Sequence, residues 1–170
     1  GYDGWRIFQI VFIVSLIPDI INLNHNRRNE VDLLHVNTGG GKSEAYFGLV
    51  VFSAFYDRLI GKKFGTTAIT KFPLRMLSVD QLQRIANLFI FAEEVRIEFI
   101  NNKEDHPFSV AYFVGTSDKY PRKTITIIKE VKQNRKRGII TPGKIIKKCP
   151  LCTGNVLLDF NDNSKIIHRC

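Results

Sequence analysis

Sulfur is scarce in this chain: three cysteines and one methionine among 170 residues. Three is an odd and sparse set, which excludes a disulfide framework and suits a reducing, cytoplasmic compartment. No run approaches the roughly 20 apolar residues that a membrane-crossing helix needs. The longest, Ile7 to Ile17, is broken by Gln9 and Ser15, stopped by Pro18-Asp19, and reads as a buried helix. No cationic segment precedes it, so it does not read as a secretory signal. Glycine is only 12 of 170 and no heptad persists, which excludes collagen-like and coiled-coil architectures. No internal repeat or low-complexity tract is present. Acid is in short supply as well. There are 16 Asp/Glu against 25 Lys/Arg, a formal charge of +9, which suits a polyanionic partner and says nothing about fold. The chain begins at Gly1 without a methionine and closes on Cys170, so it reads as a section of something longer.

What is present is globular: 44% apolar and 24% charged residues, enough for a core. Residues 5–17 read as a helix with a turn at Pro18, and 22–29 as a polar loop. Val31 to Val36 is a short apolar run that reads as a strand. Thr66 to Thr70 and Val110 to Val114 are two more strand candidates. Between them lie helical stretches at 42–59, closed by Gly61, and at 74–98. Strands alternating with helices predict an α/β fold, a parallel sheet flanked by helices. The helix from Lys42 is apolar nearly all round, which predicts packing against that sheet and something beyond it. His35 reads as a packed strand residue. Residues 129–148 hold eight Lys/Arg against Glu130 alone, a stretch that reads either as a phosphate-contacting segment or as a solvated linker.

The most informative segment is Val36-Asn37-Thr38-Gly39-Gly40-Gly41-Lys42-Ser43. Glycines let successive amides face one anion, and the helix that follows adds its positive end. A lysine there reaches the outer phosphates of a nucleotide, and a serine hydroxyl can hold Mg²⁺. Val36 stands where the strict formula has a glycine. The other reading is a glycine-rich turn with an exposed lysine.

Residues 38–44 resemble motif I of superfamily 2 helicases. Trp5-Arg6-Ile7-Phe8-Gln9 resembles the Arg-x-x-Gln element that precedes it. Pro73 to Gln81 is similar to motif Ia, with Leu74 in place of its threonine and the glutamine one residue late. Asp32 to Tyr46, Pro73 to Ser78 and the late Cys-Pro-x-Cys are similar to the helicase-like component of the DISARM phage-defence system. The resemblance implies a P-loop NTPase: part of a RecA-like lobe that binds ATP, with Mg²⁺ on Ser43. Arg6 and Gln9 would face adenine, and Thr38, Gly39, Gly40, Gly41, Lys42 and Ser43 the phosphates. Lys42 and Ser43 would serve catalysis. Arg75 and Ser78, with Lys71 nearby, would touch nucleic acid, DNA ahead of RNA. A defence-system partner protein is implied too.

Hydrolysis needs an acidic strand end that holds Mg²⁺ and positions water. No Asp-Glu-x-His tetrad occurs here. Glu93-Glu94 lies in a helical pattern, and Asp159 is followed by Phe160. The expectation is that the acidic motif and a second lobe lie beyond Cys170, and that these 170 residues alone do not hydrolyse ATP. Cys149-Pro-Leu-Cys152 has the two-residue gap of a zinc knuckle, and Cys170 falls within ribbon spacing. The segment reads as an incomplete zinc ribbon whose fourth ligand lies downstream. His168 is the weaker candidate for that corner, and three free thiols the other reading.

The expected organisation is an N-terminal helix and loop (1–28), a partial RecA-like domain (29–128), a basic linker (129–148) and the cysteine segment (149–170). The expected function is ATP-dependent movement on DNA by the intact protein, in antiphage defence. Two alternatives remain from sequence. One is a non-catalytic, zinc-dependent nucleic-acid-binding module with a relic phosphate loop, and the other is a small phosphotransferase.

Overall fold

The computed structural model describes residues 4–73, 75–100, 106–113, 124–143, 146–163 and 165–170; the side chains of 75–77 are outside the description. Among the described residues four helices and one hairpin form: α1 (Ile7–Ile21), α2 (Lys42–Leu59), α3 (Arg75–Phe99), α4 (Thr124–Lys136), β1 (Leu157–Phe160) and β2 (Ile166–Arg169). The chain divides into two units. The first comprises Gly1–Thr70 and Ala92–Phe108, the second Lys71–Phe91 and Ser109–Cys170. Helix α3 therefore contributes a part to each.

In the first unit α1 packs on α2. Leu16 of α1 and Ala45, Phe47 and Ala54 of α2 are buried. Gly48 permits the approach, since a Cβ there would stand 2.8 Å from both the Trp5 ring and Ile13 Cδ1. Helix α1 runs through Pro18 instead of turning at it. Proline deletes one amide, the donor to the Val14 carbonyl. Val14 and Pro18 are both exposed, so water can replace that bond in the last turn. Helix α2 stops as its glycine predicts. Gly61 takes φ +81°, its amide reaches Arg58 O at 3.0 Å, and the Lys62 amide reaches Asp57 O at 2.8 Å, the two bonds of a Schellman end.

The end of α3 is tied into the same unit by charge. Arg96, 4% exposed, donates to both Glu93 oxygens at 2.6 and 2.8 Å, and the Phe108 amide donates to Glu93 Oε2 at 3.1 Å. The Arg96 hydrogen bonds hold the Glu93 carboxyl below its ordinary value of 4.5. A depressed carboxylate stabilises the fold fully above that value and loses its contribution as pH falls through the folded one. Glu93→Gln is expected to cost about 3 kcal/mol, because it removes the carboxylate to which the buried Arg96 guanidinium donates twice. The deficit should shrink as pH falls below 4.5, and urea melts at neutral and progressively acid pH check both.

The strand expectations are not met among the described residues. Residues 31–36, 66–70 and 110–113 form no β pairing, and Val114 lies outside the description. Val31 is 95% exposed and Phe113 97%. β-branched composition favours an extended backbone but cannot supply a partner. Among the described residues helix α2 packs against α1, and His35 is exposed, not packed.

The second unit has its own small core. Ile127 and Val131 of α4 pack on Leu158, with Phe160 and Ile166 beside them. β1 and β2 pair antiparallel, Leu157 opposite Arg169 and Phe160 opposite Ile166. The segment expected to be a basic linker is helical as far as Lys136, since Ile127, Ile128 and Val131 give α4 a buried face that a linker would lack. Beyond it Thr141 is buried and accepts a hydrogen bond from Asn134 at 3.0 Å.

Candidate functional site

The glycine loop sits where α2 begins. Gly39 and Gly41 adopt φ of +79° and +89°, and the Gly40 amide turns back to Asn37 O at 2.9 Å. Gly41 is the N-cap of α2 and offers no capping side chain, and the first turn carries one acid, Glu44; the helix start is a positive end of the backbone dipole. A Cβ on Gly40 would stand 2.6 Å from Val36 Cγ1, and one on Gly41 2.7 Å from Gln9 Nε2. The Cβ on Gly40 would also meet the backbone oxygen of Asn37 at 2.8 Å, and Gly41 is held at positive φ, so both places favour glycine. Lys42 folds its ammonium back onto the Val36 carbonyl and, at 3.1 Å, onto Asn37 O. Both acceptors are neutral, so a phosphate would compete for the ammonium with full charge. Ser43 Oγ accepts from Tyr46 Oη at 3.1 Å, and Thr38 is exposed. The shape and donor set fit a phosphate group.

Arg6 and Gln9 are drawn to this loop. Gln9 is buried; its Nε2 donates to Gly41 O at 2.7 Å while its Oε1 accepts the Arg6 amide at 2.8 Å. The Arg6 guanidinium donates to Gly40 O at 2.9 Å. Both side chains thus brace the backbone of the loop. The three-residue spacing was legible in sequence, but their partners, more than thirty residues away, were not.

Of the motif Ia residues, Lys71 is exposed, and the Arg75 side chain lies outside the description. Ser78 Oγ is 2.6 Å from Tyr112 Oη. Asp159 is held by ion pairs to Arg135 at 2.6 Å and Arg169 at 3.4 Å. The Phe160 amide, followed by those two charges, lowers its carboxyl. It is engaged on the hairpin, away from the role of an acidic strand end.

The second cluster is the cysteines. Cys149, Cys152 and Cys170 place their sulfurs within 4.8 Å of one another, and the group includes no histidine among the described residues. His168 lies on β2 opposite Leu158. The knuckle is built by the backbone: Cys149 N donates to Gly154 O and Thr153 N to Cys149 O, both at 2.9 Å. Thr153 adopts φ +58° to close it, a left-handed conformation that the sequence does not advertise with a glycine. The amides of Cys152 and Leu151, then the neighbouring thiol of Cys170, lower Cys149 to about 7. Cys170, facing Cys149 and Cys152, is pushed up to about 11. Thiolates this close repel one another, and a divalent cation would offset that repulsion. Tetrahedral zinc holds its sulfurs about 3.8 Å apart, from Zn–S bonds of about 2.3 Å. The three cysteines therefore fit a metal ion such as zinc and supply three of its corners.

Sequence reasoning missed Gln83. Its amide clasps the chain entering the knuckle, accepting from Lys147 N at 2.8 Å and donating to Lys148 O at 3.3 Å. The cysteine segment is thereby fastened to α3, the helix that begins at motif Ia. Tyr46 was missed as well, although its position three residues after Ser43 on one helix was a usable signal. No helix of the described residues is long and apolar enough to cross a membrane.

No protein-family model matches the chain, and no solved structure matches it. The chain is similar to the DISARM protein DrmA of Bacillus paralicheniformis, at 30% identity over 166 residues, covering 87% of this chain and 14% of that protein. It spans about a seventh of that relative's length. The similarity links the chain to the DISARM proteins.

Proposed function

We propose that this chain is the nucleotide-binding section of a superfamily 2 helicase or translocase that acts in DISARM phage defence. The observation that carries the reading is the loop at 36–43: a glycine-built backbone turn, a helix start with a glycine N-cap and a lysine parked on neutral carbonyls. The similarity to a DISARM protein over most of the chain supports the setting. In this reading the loop binds the phosphates of ATP. Lys42 exchanges the Val36 and Asn37 carbonyls for phosphate oxygens, and Ser43, steadied by Tyr46, faces Mg²⁺. The metal would neutralise charge on the phosphates. Arg6 and Gln9 keep the loop in shape and lie beside the adenine position.

The exposed segments 31–36, 66–70 and 110–113 are, in this reading, strands of a RecA-like parallel sheet completed by the remainder of a longer protein. Lys71, Arg75 and Ser78, near the start of α3, touch one strand of DNA. The coupling is tested by measuring ATP hydrolysis of the intact protein with and without DNA. Stimulation of about tenfold or more is expected. Hydrolysis that is absent under both conditions, together with no detectable ATP binding, would overturn the proposal.

A further inference from the structure

By sequence, the second unit holds 16 of the 25 Lys/Arg residues but only 5 of the 16 Asp/Glu. The unit with the phosphate loop keeps nine cations against eleven acids, so the chain's positive charge belongs to one unit. Helix α4 shows how that charge is presented. Ile127, Ile128 and Val131 are buried. Lys129, Lys132 and Lys136 recur at intervals of three and four, so they share one side of the helix, and all three are exposed. None has an acidic partner among the described residues. Asp159, on the hairpin, is already matched by Arg135 and Arg169, and Glu130, the one acid of α4, falls outside the three-and-four spacing of the lysines. The ammonium of Lys132 lies over the Phe160 ring, 5.3 Å from its centroid, which holds the stripe's middle member in place.

This stripe suits a regular chain of phosphates. At about 1.5 Å per residue the three lysines span about 10 Å, the length over which one strand of a duplex presents about three phosphates. A membrane surface is the poorer fit. An interfacial helix needs its apolar face free to enter lipid, and the apolar face of α4 is occupied by the hairpin core.

We infer that the Lys129–Lys132–Lys136 face of α4 is a nucleic-acid backbone contact, separate from the start of α3, that binds without nucleotide and without reading sequence. It goes beyond the nucleotide reading and does not depend on it. The test uses the intact protein, free of nucleotide, with a fluorescent duplex of arbitrary sequence, titrated between about 50 and 200 mM salt. The triple variant Lys129→Glu/Lys132→Glu/Lys136→Glu should weaken binding more than tenfold at low salt. It should also flatten the log–log salt dependence by about 2.7, at about 0.9 per lost phosphate contact. The triple glutamine variant, which adds no repulsion, should show the same flattening. ATP hydrolysis without DNA should stay at its original rate, which keeps this result distinct from a failure of the nucleotide site. An unchanged slope in both variants overturns the inference. So does a loss of binding confined to polyglutamate or anionic vesicles with the duplex unaffected.

Discussion

Lys42→Ala in the intact protein should lower ATP turnover by about 10²- to 10³-fold, the usual cost of removing one preorganised donor from a developing anionic charge. The structural argument is local. In the free loop the ammonium rests on Val36 O and Asn37 O, and both residues border solvent. Losing those two bonds costs the fold little, because water replaces them. Nothing equivalent replaces the lysine on a triphosphate, since the start of α2 and the glycine amides contribute only partial charges. The expected pattern is therefore an unchanged melting temperature with a collapse of turnover and a weakened affinity for ATP. Steady-state hydrolysis and calorimetric titration with a non-hydrolysable analogue measure the two quantities. Unaltered turnover would mean that the loop is a relic and would favour the zinc-dependent binding module instead.

Cys149→Ser should remove bound metal from about one ion per chain to a trace, and with it the order of the hairpin. Cys149 is buried at the centre of the knuckle, receives the Leu151 and Cys152 amides, and faces both other sulfurs. Serine offers no thiolate, so this chain would keep only two of the three corners it supplies. Structural zinc supplies apparent binding energies of about 10–16 kcal/mol in small domains, far beyond what the few buried side chains around Leu158 can provide. Hydrogen exchange should accelerate across 149–170 and α4, while the loop at 36–43 keeps its protection. Metal analysis and exchange mapping check the two parts. A chelator should reproduce the mutant pattern in the unaltered protein, and added zinc should reverse it. Full zinc content in the variant would sink the site.

Both results depend on features of different legibility. Local features were readable. The bounds of α2 follow from Gly41 at one end and Gly61 at the other, because glycine's freedom at positive φ acts within a few residues. The Cys-x-x-Cys gap is likewise a property of one turn. The strands were not readable as strands, because a strand's hydrogen bonds belong to its neighbour, and 31–36, 66–70 and 110–113 have none among the described residues. Pro18 was over-read as a stop. A proline removes a single bond, and near the exposed end of a helix that loss is small.

By itself the sequence determined the glycine-lysine-serine turn ahead of α2, the knuckle spacing and the basic excess in 129–148, since each is set by residues adjacent along the chain. Only the tertiary structure decided that Arg6 and Gln9 brace the carbonyls of Gly40 and Gly41 and that Gln83 clasps the entry to the knuckle. Each of these juxtaposes groups far apart in the chain. Such contacts depend on which faces of α1, α3 and the hairpin become buried, and burial is a property of the packed whole.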